Sequence, residues 1–102
     1  MAETTFEYVL GKEFGRPYLL SVRARPSTNN PEEFAVTVHY NDSETESSVA
    51  VARIDTAHGY THFDKLYRRD EPKEPIDLSL WEAVERLESN WRTYAESYER
   101  LD

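Results

Sequence analysis

Apolar and polar residues alternate along the first half of the chain, which is the pattern of strands that bury one face. Four segments show this alternation, and they span residues 4–10, 18–25, 34–40 and 48–56. Short polar connections join the segments, so the pattern predicts an antiparallel meander. The segment 61–67 is predicted as a short fifth strand.

The last quarter of the chain has a different period, because its apolar residues recur every three or four positions. These residues are Leu80, Val84, Leu87, Trp91, Tyr94, Tyr98 and Leu101. The spacing predicts one long helix with an apolar stripe. Ser79 followed by Glu82 is a capping-box pattern at its start, and Asp77 is an alternative cap.

Together the two patterns predict a single α+β domain over residues 1–102. A sheet of four or five strands takes residues 4–67, a charged linker takes 68–76, and the C-terminal helix takes 77–101. We expect the helix to pack across one face of the sheet. The stripe also satisfies three heptads, so a coiled-coil seam between two copies is a second interpretation.

Composition fits a small packed domain in a reducing compartment. Of the 102 residues, 38% are hydrophobic and 13% aromatic, and there is no cysteine. The lack of cysteine excludes disulfides, thiolate metal sites and cysteine nucleophiles. The chain starts without a basic, apolar leader and holds no long apolar run, so we predict a cytoplasmic protein with no membrane partner.

The charge balance is strongly acidic. Twenty acidic residues face twelve basic ones, which gives a net charge of −8, and nine of the twelve bases are arginine. Excess carboxylate with little lysine predicts a halophilic, haloarchaeal source, where high charge maintains solubility in salt. An ordinary acidic bacterial protein is the other interpretation.

The candidate chemistry is concentrated in residues 53–69, RIDTAHGYTHFDKLYRR. His58 and His62 can form an acid–base pair that acts on a ribose 2′-hydroxyl, and Asp55 can orient one of them. The candidates for substrate binding are Arg53, Tyr60, Asp64 and Arg68. We predict no cofactor, although two imidazoles and a carboxylate also suit a divalent metal ion. Simple recognition of a partner, or a purely structural turn, are the remaining interpretations of this stretch.

Other parts of the chain add little chemistry. No Gly-rich phosphate loop, nucleophile elbow, two-histidine helix motif or EF-hand loop is present. His39 is predicted as a surface or half-buried strand residue that reaches the site only if its strand neighbours the fourth. Arg16, Arg23 and Arg25 lie in a segment without acids, so a basic face that contacts RNA is a hypothesis.

The run R-x-D-x-A-H, formed by Arg53, Asp55, Ala57 and His58 and followed by His62, resembles a motif of the TumE-like toxins of toxin–antitoxin modules. The resemblance implies a small cytosolic effector that is paired with a partner protein and has Asp55, His58 and His62 at its active end. Asp64 and Lys65 stand where that group carries closely spaced histidines.

Two functional hypotheses follow. In the first, the chain is a toxin-like effector that acts on RNA through its His/Asp turn. In the second, it is a non-catalytic interaction module that forms a homodimer or binds a partner protein through the C-terminal helix or a sheet edge.

Overall fold

The computed structural model describes residues 3–28, 31–56, 61–66, 72 and 74–101. Its elements, in chain order, are β1 (Thr4–Glu13), β2 (Arg16–Arg25), β3 (Glu33–Asp42), β4 (Ser47–Asp55), β5 (His62–Asp64), β6 (Glu74–Pro75) and α1 (Leu80–Glu99). The predicted α+β class, with a meander and a long C-terminal helix, is confirmed.

All six strands form one sheet in the order β1-β2-β3-β4-β5-β6, and each neighbouring pair is antiparallel. The sequence predicted four or five strands. The additional strand is β6, which pairs Glu74 with Phe63 inside the segment predicted to be a linker. Two residues are too few to show an alternation, and one of them is a proline, which argues against a strand in a sequence.

The apolar side chains of β2, β3 and β4 fall on one face, which we call the covered face because α1 lies against it. The buried apolar residues of these three strands are each exposed by 9% or less. They are Tyr18, Leu20, Val22, Ala24, Phe34, Val36, Val38, Tyr40, Val51, Ala52 and Ile54. The alternation seen in the sequence therefore corresponds to a real division between two faces.

The helix buries the predicted stripe against this face. Leu80, Val84, Leu87, Trp91 and Tyr94 are buried, together with two alanines, Ala83 and Ala95. The stripe packs on the sheet and not on a second helix, which disfavours the coiled-coil interpretation. Within the described residues, no helix is long and apolar enough to cross a membrane.

The helix begins at Leu80, three residues later than predicted, and Ser79 is its N-cap. Ser79 Oγ accepts from the amide of Glu82, and the Glu82 carboxylate accepts from the amide of Ser79. Of the two caps considered, the structure uses the capping box rather than Asp77. Backbone and side-chain hydrogen bonds from Ser79 hold the pKa of Glu82 below its ordinary value.

Close contacts fix where the helix lies on the sheet. Gly11 of β1 faces Trp91, and a Cβ at this position would come within 2.8 Å of Trp91 Cζ2. Trp91 also contacts the buried ring of Tyr18, with 5.3 Å between centroids. At the C-terminal end of the helix, Glu99 pairs with Arg16 at 2.7 Å, and the Arg16 guanidinium lies 3.8 Å from the Tyr40 ring centroid. Among the described residues, no helix lies on the opposite face of the sheet.

Candidate functional site

The face opposite the helix, which we call the open face, carries the polar side chains of the strands in two adjacent rows. The strand register places Arg23, Ala35, Asp55 and His62 in one row. The next row contains Glu7, Ser21, Thr37, Arg53 and Asp64. Residues far apart in sequence therefore meet on adjacent strands.

Asp55 and His62 form the best-defined contact of the predicted site. They are register partners on β4 and β5, and Asp55 Oδ1 lies 2.6 Å from His62 Nε2. Among the described residues, no donor reaches Oδ1 with hydrogen-bond geometry, so the contact is an ion-pair contact that is charged when the imidazole is protonated. The structure therefore brings together two of the three residues predicted to be catalytic.

Burial separates the roles of these two residues. The His62 side chain is 1% exposed, whereas the Asp55 side chain is 18% exposed and lines a depression on the open face. The carboxylate thus faces solvent and the imidazole lies behind it. This geometry favours Asp55 as the group that meets a ligand and His62 as the group that holds it, the reverse of the roles predicted from sequence.

Arg53 and Asp64 form the next pair along the same two strands. Arg53 Nη2 lies 3.7 Å from Asp64 Oδ2, a loose ion pair, and the Arg53 side chain is 38% exposed. The buried Nε of Arg53 has no hydrogen-bond partner among the described residues. The guanidinium therefore retains donor capacity for a ligand.

The depression in front of Asp55 has a volume of about 470 Å³. Ala35 and Thr37 of β3 lie between Arg23 on β2 and Arg53 on β4, and the small side chain of Ala35 leaves space there. Arg23 is exposed, and no described carboxylate forms an ion pair with it. Two guanidinium groups thus flank one recess, an arrangement that suits a phosphate or another anion.

A second cluster surrounds His39, whose partners were not predicted from the sequence. Ser21 Oγ lies 2.5 Å from His39 Nε2 and donates to Glu7 Oε2 at 2.7 Å, while His39 Nδ1 lies 3.0 Å from Ser48 Oγ. His39 Nε2 is also 3.2 Å from the Glu7 carboxylate. The cluster forms the floor of an adjacent recess of about 400 Å³.

The pairing of Ser21 with His39 has the composition of a nucleophile and its base, but the surroundings do not support acyl transfer. Both strands are interior, so their backbone amides belong to the sheet ladders and are not free to stabilise an oxyanion. His39 was predicted to be a surface or half-buried residue, and at 7% exposed it is buried more deeply. We interpret the cluster as a satisfied polar network.

The two described histidines belong to separate places on the open face. His39 lies four residues along β3 from Ala35, the residue level with Asp55 and His62, and β5 is two strands away. At about 3.3 Å per residue and about 4.8 Å per strand, their backbones are roughly 16 Å apart. One phosphodiester group is too small to contact both rings.

Several predicted site residues lie outside the part of the chain that the structure describes. These are His58, Tyr60 and Arg68, whose roles stay predictions. Among the described residues there is no group of three or more His, Asp or Glu side chains placed to hold a metal ion.

The predicted basic face is less basic than its sequence indicates. Arg16 lies on the covered side with Glu99, and Arg25 pairs with Glu3 at 2.8 Å. Tyr18, an aromatic residue of the same segment, is fully buried under the helix. The described open-face residues of β1 to β5 include no Phe, Tyr or Trp, so this surface offers no described aromatic ring for base stacking.

Comparison with known proteins identifies the family. The chain belongs to the family described as Domain of unknown function (DUF7718), whose model matches residues 1–102. Searches of curated proteins and of solved structures gave no significant match.

Proposed function

We propose that this member of the DUF7718 family is a small effector that acts on RNA. The RNA backbone binds in the depression between Arg23 and Arg53, and proton transfer takes place beside Asp55. The observation that carries the proposal is the lining of this depression, where two guanidinium groups accompany a carboxylate that has an imidazole behind it. The resemblance of the R-x-D-x-A-H run to TumE-like toxins supports the same function.

Binding is the first step. A phosphate placed over Ala35 and Thr37 meets Arg23 from one side and the exposed part of the Arg53 guanidinium from the other. Both side chains are partly exposed, so they can move toward the ligand at little cost in buried contacts. Because a salty cytoplasm screens long-range attraction, these short contacts provide the affinity.

The chemical step is transesterification within the RNA. Asp55 accepts the proton of a ribose 2′-hydroxyl, the 2′-oxygen forms a bond to the adjacent phosphorus, and the bond from phosphorus to the 5′-oxygen breaks. The leaving oxygen takes a proton from His58, three residues after Asp55 in sequence. Buried His62 keeps the Asp55 carboxylate in position and does not itself contact RNA.

Cleavage of a fluorescent RNA in concentrated KCl tests the proposal. We expect Asp55→Asn and His58→Ala each to lose activity by about 10²-fold or more, the usual contribution of an acid or base. Arg23→Ala is expected to raise KM with little change in kcat. Arg25→Ala is the matched control, because Arg25 lies on the same strand and face but pairs with Glu3 outside the depression.

Melting temperatures distinguish a catalytic loss from unfolding. His58→Ala and Arg23→Ala should melt with the wild type, while Asp55→Asn is assayed below its own melting transition. Wild-type protein that neither binds nor cleaves RNA would contradict the proposal. Equal effects of Arg23→Ala and Arg25→Ala would contradict the assignment of the depression as the binding site.

The second candidate is a non-catalytic interaction module. The exposed outer edge of the sheet at β1 favours it, and the two functions are compatible because they use different surfaces.

A further inference from the structure

Strand β1 is long and has a partner on one side only. It spans ten residues and pairs with β2, and within the described residues no strand lies along its outer edge. Its covered-face side chains Phe6, Tyr8 and Leu10 are only partly buried, whereas Tyr18, Leu20 and Val22 of β2 are exposed by 2% or less. The apolar face therefore continues to the edge of the sheet and is left incomplete there.

Exposed apolar groups lie on both sides of this edge. Val9 is 61% exposed on the open side, and Trp81 of the helix is 52% exposed on the covered side. The Trp81 ring stacks on Phe6 at 6.2 Å between centroids, so the two rings extend the apolar surface outward. Exposed large side chains beside an open edge are typical of a surface that another chain covers.

The first six residues of β1 lack the lysine, proline and bulge by which proteins block unwanted strand pairing. Residues 4–9 contain no proline, lysine or arginine, and the register shift of β1 comes later, between Val9 and Gly11. Natural edge strands are blunted by lysine, proline, bulges or short length. A regular run of six residues is thus open to a further strand.

Charge indicates what kind of strand fits. Glu7 faces the open side, with its side chain 51% exposed, and Glu88 accepts a hydrogen bond from Tyr8 on the covered side. Glu85 lies on the same flank of the helix, between Trp81 and Glu88 at spacings of four and three. Lys12 is the one base of β1, so the border of the edge is mainly acidic.

We infer that the outer edge of β1 binds an extended segment of another protein in which apolar and basic side chains alternate. The segment adds a seventh strand, and its backbone pairs with β1. Its apolar side chains cover Phe6 and Trp81 on the covered side, and its basic side chains meet Glu7 on the open side. A second copy of this chain fits less well, because it brings the same carboxylates to the edge and a further net charge of −8.

The test is a titration of the full chain with a ten-residue peptide that alternates Val and Lys, at about 0.1 M salt, where screening acts beyond about 10 Å. The companion peptide alternates Val and Glu. The edge variant is Val9→Lys, a change at an exposed position that places a repelling cation at the edge. Thr93→Lys adds the same charge on an exposed helix position away from β1 and is the matched control.

We expect the Lys peptide to bind and to protect β1 amides from hydrogen exchange, and Val9→Lys to weaken binding by about tenfold or more. Thr93→Lys should stay within about twofold of the wild type. Equal losses in the two variants would reduce the binding to general charge attraction and overturn the inference. Equal binding of the Glu peptide, no binding of either peptide, or dimers of the wild type that Val9→Lys dissociates would also overturn it. RNA cleavage is not expected to change in Val9→Lys.

Discussion

The covered and open faces of the sheet are built from the same three central strands, yet different forces hold them. On the covered face, Val36 and Val38 are fully buried and contribute through area removed from water, which has no directional requirement. On the open face, pairs such as Asp55 with His62 act only when the register of two strands is correct. Covered-face changes should therefore alter stability, and open-face changes should mainly alter function.

The largest effect should come from truncation at the centre of the covered face. Leu87 of α1 is fully buried, so Leu87→Ala removes apolar contact and leaves a cavity. We expect the free energy of unfolding to fall by about 2–5 kcal/mol, measured by urea denaturation. Ser89→Ala, at an exposed position of the same helix, should change it by less than about 0.5 kcal/mol. Similar losses in the two variants would contradict the proposed division between covered and exposed positions.

The two histidine contacts of the open face, Asp55 with His62 and Glu7 with His39, should respond differently to loss of the carboxylate. His62 is completely buried, so Asp55→Asn removes the charged partner of a group that water does not reach, and we expect a loss of about 1–3 kcal/mol. Glu7 is half-exposed, so Glu7→Gln beside His39 should cost less than about 0.5 kcal/mol. Equal losses of unfolding free energy in Asp55→Asn and Glu7→Gln, measured by chemical denaturation, would show that burial does not distinguish the two contacts.

Alternation allowed most of the fold to be predicted, because it reports which side of a strand each residue takes. It did not show where the register shifts. Opposite Val38 and His39, the β4 ladder passes from Ala52 to Ala50, and Val51 is the extra residue of the bulge. Such a bulge changes which polar side chains face each other, and no local sequence pattern marks it.

The sequence showed only part of the residue contacts on the open face, for a related reason. It predicted that Asp55 orients one of two histidines, and the structure places Asp55 beside His62, seven residues later on the adjacent strand. The Ser21–His39 contact joins residues 18 positions apart, and it depends on the register of β2 and β3. Arg23 was predicted as part of a basic face, but only the register shows that it shares a depression with Arg53.

A smaller loss of stability is expected at the start of the helix, where the capping box holds the first turn. Ser79→Ala removes the side-chain acceptor of the capping box, and we expect a loss of about 1 kcal/mol in the free energy of unfolding. Asp77→Ala is the control, because the structure places the cap at Ser79. A larger loss for Asp77→Ala than for Ser79→Ala in thermal or urea unfolding would mean that Asp77, the alternative cap, starts the helix.

The smallest effect lies at the border of the two faces, where β1 meets α1. Burial, followed by the hydrogen bond and the charge of Glu88, raises the pKa of Tyr8 from its ordinary 10.0 to about 12. Because the folded pKa is the higher one, the protonated phenol stabilises the fold. This contribution is complete below pH 10 and is lost as the pH rises through 12.

Tyr8→Phe tests this assignment, since Phe keeps the ring and removes the ionisable hydroxyl. The difference in unfolding free energy between the wild type and Tyr8→Phe should be constant from pH 7 to about 10 and then shrink toward pH 12. Tyr18 and Tyr40 also have raised pKa values, chiefly through burial, but they are present in both proteins and largely cancel in the difference. Glu88→Gln should reduce the same alkaline dependence, because the neutral amide opposes ionisation of the phenol less. A difference that stays flat to pH 12 would place Tyr8 outside the contact with Glu88, and the apolar edge of β1 would then have no polar link to the helix at this point.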